Sequence, residues 1–314
     1  NEQPKSIIHS EEHQNIALEV ARKSPILLKN DKNLLPLSVD KLKSIAVIGP
    51  NAKPFPELPV SNMKYALYLQ GGGSGRNWYM PEAMISPYDG IKNLVTNNVT
   101  VNYAMGVLPS NIKNKSKNQN QQLIAQAVAV AKSSDAVVLM VGMSGFDETE
   151  GRDRQNANLP GRQHELIKAV LAVNPNTVVV NIAGSYVNMN QWIDDAHSLV
   201  FEPYSGEKIG QGIAEVLFGE TNPSGKLTFS YPKSVDQYPA AAIFTGEAYS
   251  KNKVSNVYSE GIFVGYRYFD KQKEELLFPF GYGLSYSDFA YKNITVNTVN
   301  ANKHEYKVSF ELSN

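Results

Sequence analysis

Cysteine is absent from the 314 residues, which removes disulfides, thiolate metal sites and a cysteine nucleophile together while leaving the redox compartment open. Excess charge of either sign is absent too, since 30 Lys and Arg balance 30 Asp and Glu. No global field therefore draws the chain to nucleic acid or to an anionic membrane surface. No apolar run approaches the roughly 18 residues of a membrane span. The opening Asn-Glu-Gln-Pro-Lys also lacks the charged-then-apolar order of a signal peptide. His-Glu-x-x-His and Gly-x-Ser-x-Gly are both missing, which leaves metal-hydrolase and serine-hydrolase readings without support.

What is present is ordinary globular material, 42% hydrophobic and 19% charged, with enough apolar content for a sizeable core. At roughly 150 residues per domain, about two domains are expected. Ser10, followed by Glu11 and Glu12, opens a helix that keeps apolar spacing through Ile16, Ala17, Val20 and Ala21 and stops at Pro25. The runs Ile45–Ile48, Val99–Tyr103, Ala136–Val141, Thr177–Ile182 and Leu199–Phe201 are short, β-branched and bounded by turn residues. They read as parallel strands buried on both faces. Amphipathic patterns alternate with them: Leu123, Ile124, Ala127, Val128 and Ala131; Leu166, Ile167, Val170 and Leu171; then Ile209, Ile213, Val216 and Leu217 before Gly219. The expectation is an α/β layered domain with a mostly parallel sheet. Beyond about residue 230 the alternation stops, and Tyr291–Val299 and Glu305–Leu312 follow the period of two antiparallel strands.

Ligands of open α/β sheets sit outside the carboxyl ends of the strands, which directs attention to the loop after Ala136–Val141. Asp147, Glu148, Glu150, Arg152, Asp153 and Arg154 crowd into that loop. Neighbouring carboxylates raise one another's pKa and the arginines lower it, so one Glu could be kept protonated as a general acid if the arginines point elsewhere. A merely solvated charged loop is the competing reading. Gly71, Gly72, Gly73, Ser74 and Gly75 could cradle a phosphate, but no helix start follows them. Trp78, Tyr79, Trp192 and Tyr204 offer ring faces for stacking, with Trp192 better read as core.

Taken in order, Ser24–Asn30, Leu34–Leu37, Ile45–Ala52, Gly71–Gly75, Glu148–Arg154 with Leu159–Gly161, Asn174–Val180, Val216–Gly219 with Asn222–Leu227, Tyr258–Asp270 and Phe278–Tyr286 resemble the second domain of glycoside hydrolase family 3. The resemblance covers nearly the whole chain. It implies an (α/β)6 sandwich over residues 1–235, a connecting segment over 236–277, and the beginning of a fibronectin type III-like domain over 278–314.

The resemblance also implies retaining hydrolysis of β-linked glucosides or oligosaccharides at their terminal non-reducing β-D-glucosyl residues, β-glucosidase ahead of β-xylosidase. An Asp of a preceding (β/α)8 barrel attacks the anomeric carbon and a Glu of the sandwich protonates the departing oxygen. Aligning on Glu-Gly-x-Asp-Arg puts the acid/base at Glu150, with Glu148 the fallback. Arg76, Trp78 and Tyr79 become candidates to wall the entrance subsite. No cofactor or metal is needed, because protonation and carboxylate attack suffice. The nucleophile's Asp-Trp pair is nowhere in these residues, and both ends read like mid-chain sequence. The expectation is the C-terminal portion of a larger glycosidase, secreted or periplasmic, that is inactive without its barrel. The rivals are a non-catalytic carbohydrate-binding module or inactive subunit, and a nucleotide-binding α/β protein using the glycine run.

Overall fold

The computed structural model describes residues 9–54, 69–74, 83–96, 99–112, 118–241 and 260–314. They fall into two units, 1–284 and 285–314. In the first, a six-stranded sheet has the order β1-β6-β5-β4-β2-β3. Its strands are β1 (Ile26–Asn30), β2 (Ser44–Ile48), β3 (Thr100–Ala104), β4 (Ala136–Gly142), β5 (Thr177–Ile182) and β6 (Ser198–Glu202). The five expected strands are all parallel to one another. The sixth, β1, joins the edge antiparallel to β6.

Strands β4, β5 and β6 are buried along their whole length, which is why their sequences are continuous apolar runs rather than alternating ones. Ala46, Ile48, Val137, Leu139, Val141, Val179 and Leu199 share one core with α3 (Gln119–Lys132) and α4 (Gln163–Leu171). The alternate residues, Ile45, Val47, Val138, Met140, Val178, Val180 and Val200, point to the opposite face and are equally buried. That face is left to α1 (Glu11–Lys23), α2 (Pro87–Val95) and α5 (Ile209–Leu217), which pack on one another. Ser10 caps α1 as expected, accepting from the His13 N–H.

The segment expected to be only a connection holds a short helix, α6 (Tyr266–Gln272), with Phe269 buried. Strand β7 (Tyr231–Pro232) pairs with β8 (Leu276–Phe278), so the expected boundary at 277/278 falls inside the first unit and the division lies at Leu284/Ser285. The second unit is a hairpin of β9 (Ala290–Asn300) and β10 (Glu305–Ser313), the two strands expected there, in antiparallel register with Val296 opposite Val308. No helix among the described residues is long and apolar enough to cross a membrane.

Candidate active site

The carboxyl ends of β4, β5 and β6 bring three loops to one edge of the sheet. Gly142 ends β4 at φ 148°, where an added Cβ would lie 1.9 Å from the Ile182 carbonyl oxygen, so only glycine lets β4 leave the sheet this close to β5. The loop then folds on itself. The Ser144 carbonyl accepts from the Asp147 and Glu148 amides at 2.9 and 2.8 Å, and Asp147 accepts from the hydroxyls of Ser144 and Ser110 at 2.6 and 2.5 Å. Thr149 and Arg152 bridge across a tight turn, with Gly151 at φ 76° and Glu150 beside it at the exposed tip.

The glycine run lies against this loop. The Gly72 amide donates to the Glu148 carbonyl at 2.7 Å, and the Ser74 amide donates to Glu150 Oε2 at 2.8 Å. The Ser74 hydroxyl donates to the same carboxylate oxygen. A Cβ on Gly72 would lie 2.5 Å from the Gly145 carbonyl oxygen, and one on Gly73 would lie 2.7 Å from Glu150 Cβ. The glycines are thus explained by close approach to residues 145–150. Gly75, Arg76, Trp78 and Tyr79 lie outside the described residues.

The two glutamates have different surroundings. The Glu148 side chain is 14% exposed. Its Oε2 accepts from the Gly184 amide at 2.8 Å and the Tyr204 hydroxyl at 2.6 Å, and its Oε1 accepts from the Ser185 hydroxyl at 2.6 Å. Arg154 Nη1 stands 3.7 Å from Oε1, while its Nη2 donates to Ser185 Oγ at 3.1 Å and the Tyr186 carbonyl at 2.8 Å. Burial, then the facing Glu148 charge and hydrogen bond, pushes the Tyr204 phenol far above its ordinary value. Glu150 has Ser74 as its partner. The hydroxyl and then the amide of Ser74 hold the Glu150 carboxyl below the usual range, against a smaller opposing effect of burial.

Both arginines point away from Glu150: Arg152 donates to the Phe146 carbonyl, and Arg154 serves Glu148. The expected raising of one Glu pKa is therefore not what these surroundings do to Glu150, because hydrogen bonds to Ser74 favour its ionised form. Trp192 is core, as expected, at 1% exposure. Tyr204 spends its hydroxyl on Glu148. Ser74, Gly184 and Ser185 carried no sequence signal as site residues beyond the glycine run beside Ser74. Among the described residues no group of three or more His, Asp or Glu is placed to hold a metal ion.

Two clefts flank the ridge formed by residues 153–156. One, of about 960 Å³, is lined by Phe146, Thr149, Arg152, Asn158 and His164 among others. Tyr186, Phe229, Val235 and Tyr238 wall the other, of about 660 Å³. Glu150 lines neither cleft but stands exposed at the loop tip, where a carboxylate can exchange a proton with a bound molecule.

The family model of the glycosyl hydrolase family 3 C-terminal domain matches residues 25–266. A beta-xylosidase of Formosa agariphila is 39% identical over 306 residues, which cover 97% of this chain and 38% of that protein. Thermostable beta-glucosidase B of Acetivibrio thermocellus is 37% identical over 285 residues, 91% of this chain and 34% of that protein. Among solved structures, the GH3 beta-glucosidase of Bifidobacterium adolescentis superposes with a TM-score of 0.78 at 32% identity, covering 96% of this chain and 40% of that one. DesR, a beta-glucosidase from Streptomyces venezuelae in complex with D-glucose, gives 0.78 at 28% identity, covering 95% of this chain and 48% of that one. The chain spans less than half the length of each of these proteins.

Proposed function

The chain belongs to glycoside hydrolase family 3, and from that premise we propose that it supplies the general acid/base of a retaining, exo-acting β-glycosidase, with Glu150 as the proton donor. The observation that carries this reading is the contrast between the two glutamates. Glu148 is enclosed by donors from Gly184, Ser185 and Tyr204, whereas Glu150 stands exposed at the tip of the Gly151 turn. A proton donor must reach the leaving oxygen, and Glu150, exposed beside Ser74, is better placed to do so than the enclosed Glu148. Glucosides are the proposed substrates, in keeping with relatives named as β-glucosidases, and a terminal xylosyl residue is the alternative that the Formosa agariphila relative suggests.

In the proposed reaction, Glu150 gives its proton to the glycosidic oxygen as the bond from that oxygen to the anomeric carbon breaks. An Asp carboxylate from a (β/α)8 barrel forms the new bond to that carbon. Glu150, now ionised, takes a proton from water, which displaces the Asp and restores both groups. The two carboxyls must stand about 5 to 5.5 Å apart for this chemistry. A second carboxylate that close, with water excluded, raises the pKa of Glu150 and opposes the effect of Ser74. No cofactor takes part in these steps.

The test compares the 314-residue chain with the full-length glycosidase on an aryl β-glucoside. The chain alone is expected to be silent, because the nucleophile belongs to the barrel. Glu150→Gln in the full-length protein is expected to lower kcat/KM about 10²- to 10⁴-fold on an alkyl β-glucoside, whose leaving oxygen needs the proton. Hydrolysis by the isolated chain that disappears in Glu150→Gln would overturn the two-domain division of labour. Full activity of Glu150→Gln in the full-length protein would overturn the assignment itself.

A further inference from the structure

We propose that Glu148, gripped by Tyr204, is a positioning residue that fixes the loop from which Glu150 donates its proton; the inference rests on the reading of Glu150 given above. Glu148 lies two residues before Glu150, on the near side of the turn bridged by Thr149 and Arg152. Its carboxylate gathers donors from the loop after β5, through the Gly184 amide at 2.8 Å and the Ser185 hydroxyl at 2.6 Å, and from the loop after β6, through the Tyr204 hydroxyl at 2.6 Å. Arg154, from its own loop, closes the fourth side at 3.7 Å and is itself tied to Ser185 and the Tyr186 carbonyl. Through its backbone, Glu148 accepts from the Gly72 amide at 2.7 Å, which fixes the glycine run that leads to Ser74.

Tyr204 is held as firmly as the group it holds. A Cβ on Gly184 would lie 3.0 Å from Tyr204 Cε2, and one on Gly71 would lie 3.3 Å from it, so both glycine backbones lie against the ring. A part-buried carboxylate joined to several donors behaves as a rigid joint, because each lost bond leaves a polar group poorly solvated. Glu148 therefore joins the loops after β4, β5 and β6 at its carboxylate and the glycine run at its backbone carbonyl. What separates Glu148 from Glu150 is then only the short turn bridged by Thr149 and Arg152, with Glu150 held from the other side by Ser74. Proton donation is sensitive to such placement, since a misplacement of about 1 Å can cost about 100-fold in rate.

The experiment uses the full-length glycosidase and two substrates. An alkyl β-glucoside needs a proton on its leaving oxygen, whereas a 2,4-dinitrophenyl β-glucoside departs as a stable anion without one. Tyr204→Phe keeps the ring and removes only the hydroxyl. It is expected to lower kcat/KM on the alkyl glucoside about 10-fold or more and to leave kcat/KM on the dinitrophenyl glucoside, which reports only formation of the glycosyl-enzyme, within about twofold of the parent. Ser185→Ala, which removes a second donor, is expected to show the same split. Equal losses on both substrates, or no loss on either, in both variants would overturn the proposal. Glu150→Gln run alongside separates the two claims. If it shows the split and the Tyr204 and Ser185 variants do not, the positioning inference fails alone; if it shows no split, the proton-donor reading fails and the inference with it.

Discussion

The Ser74 amide donates to the Glu150 carboxylate at 2.8 Å, so the glycine-rich run and the acid-bearing loop meet at the side chain assigned the proton. The hydroxyl of Ser74 reinforces that contact and is the larger cause of the lowered Glu150 pKa. Ser74→Ala is expected to move the Glu150 titration upward, as followed by carboxyl ¹³C NMR of the 314-residue chain. A group whose folded pKa is depressed adds stability above its unfolded value and loses it as the pH falls through the folded value. The variant should thus be the less stable one by the full difference above about pH 4.3, with that difference vanishing as the pH falls through the lowered Glu150 value. An unchanged titration midpoint contradicts the role given to Ser74.

Glu202 ends β6 with 0% exposure, and burial holds its carboxyl well above the usual carboxylate range, opposed only by Ser205. The sign is the reverse of that for Glu150. The folded chain keeps a proton that the unfolded chain loses above about pH 4.3, so stability falls as the pH rises from there. Glu202→Gln preserves the shape and removes the ionisation. Its denaturation midpoint is expected to gain on the parent between pH 5 and pH 8, and parallel pH dependences of the two proteins would refute this.

Gly90 of α2 and Gly210 of α5 let the two helices cross in near backbone contact. An added Cβ on Gly90 would lie 2.1 Å from the Gly210 carbonyl oxygen, and one on Gly210 would lie 2.0 Å from that of Ser86. Gly90→Ala gains about 1 kcal/mol of helix propensity, but the obstacle is backbone and cannot turn aside. A net loss of roughly 1 to 3 kcal/mol in guanidinium unfolding is expected. A stabilised variant would mean that α2 and α5 do not cross this closely.

The inner parallel strands were legible because a strand buried on both faces must be apolar throughout, as Val137 to Val141 and Val178 to Val180 are. Strand β3, read the same way, is an edge strand whose residues are mostly only half-buried. Strand β1 was not legible, because it carries only Ile26, Leu27 and Leu28 before Lys29 and Asn30, and its edge position needs no more. Helix α2 escaped notice because Gly90 interrupts the apolar pattern, although Ser86 before Pro87 is a start signal that the structure uses, with Ser86 Oγ accepting from the Asp89 amide at 3.2 Å. The candidate loop followed from strand topology alone. The different surroundings of Glu148 and Glu150 did not, because they depend on Gly184, Ser185 and Tyr204, which lie at least 36 positions beyond Glu148 in the chain. The glycine run stayed ambiguous for a related reason: close backbone approach to a phosphate and to another loop select the same residue.

Proton donation by Glu150 is tested most directly by the product that Glu150→Ala forms in azide from an activated aryl β-glucoside, using the full-length protein. Without its acid/base the enzyme still forms the glycosyl-enzyme from a substrate whose leaving group needs no proton. Water is then poorly activated, and the small azide anion can occupy the vacated space and attack without a base. The predicted product is β-glucosyl azide, with turnover restored as azide is added, and no such product from Glu148→Ala. Hydrolysis by Glu150→Ala with no azide adduct, or an adduct formed by Glu148→Ala instead, would contradict the assignment.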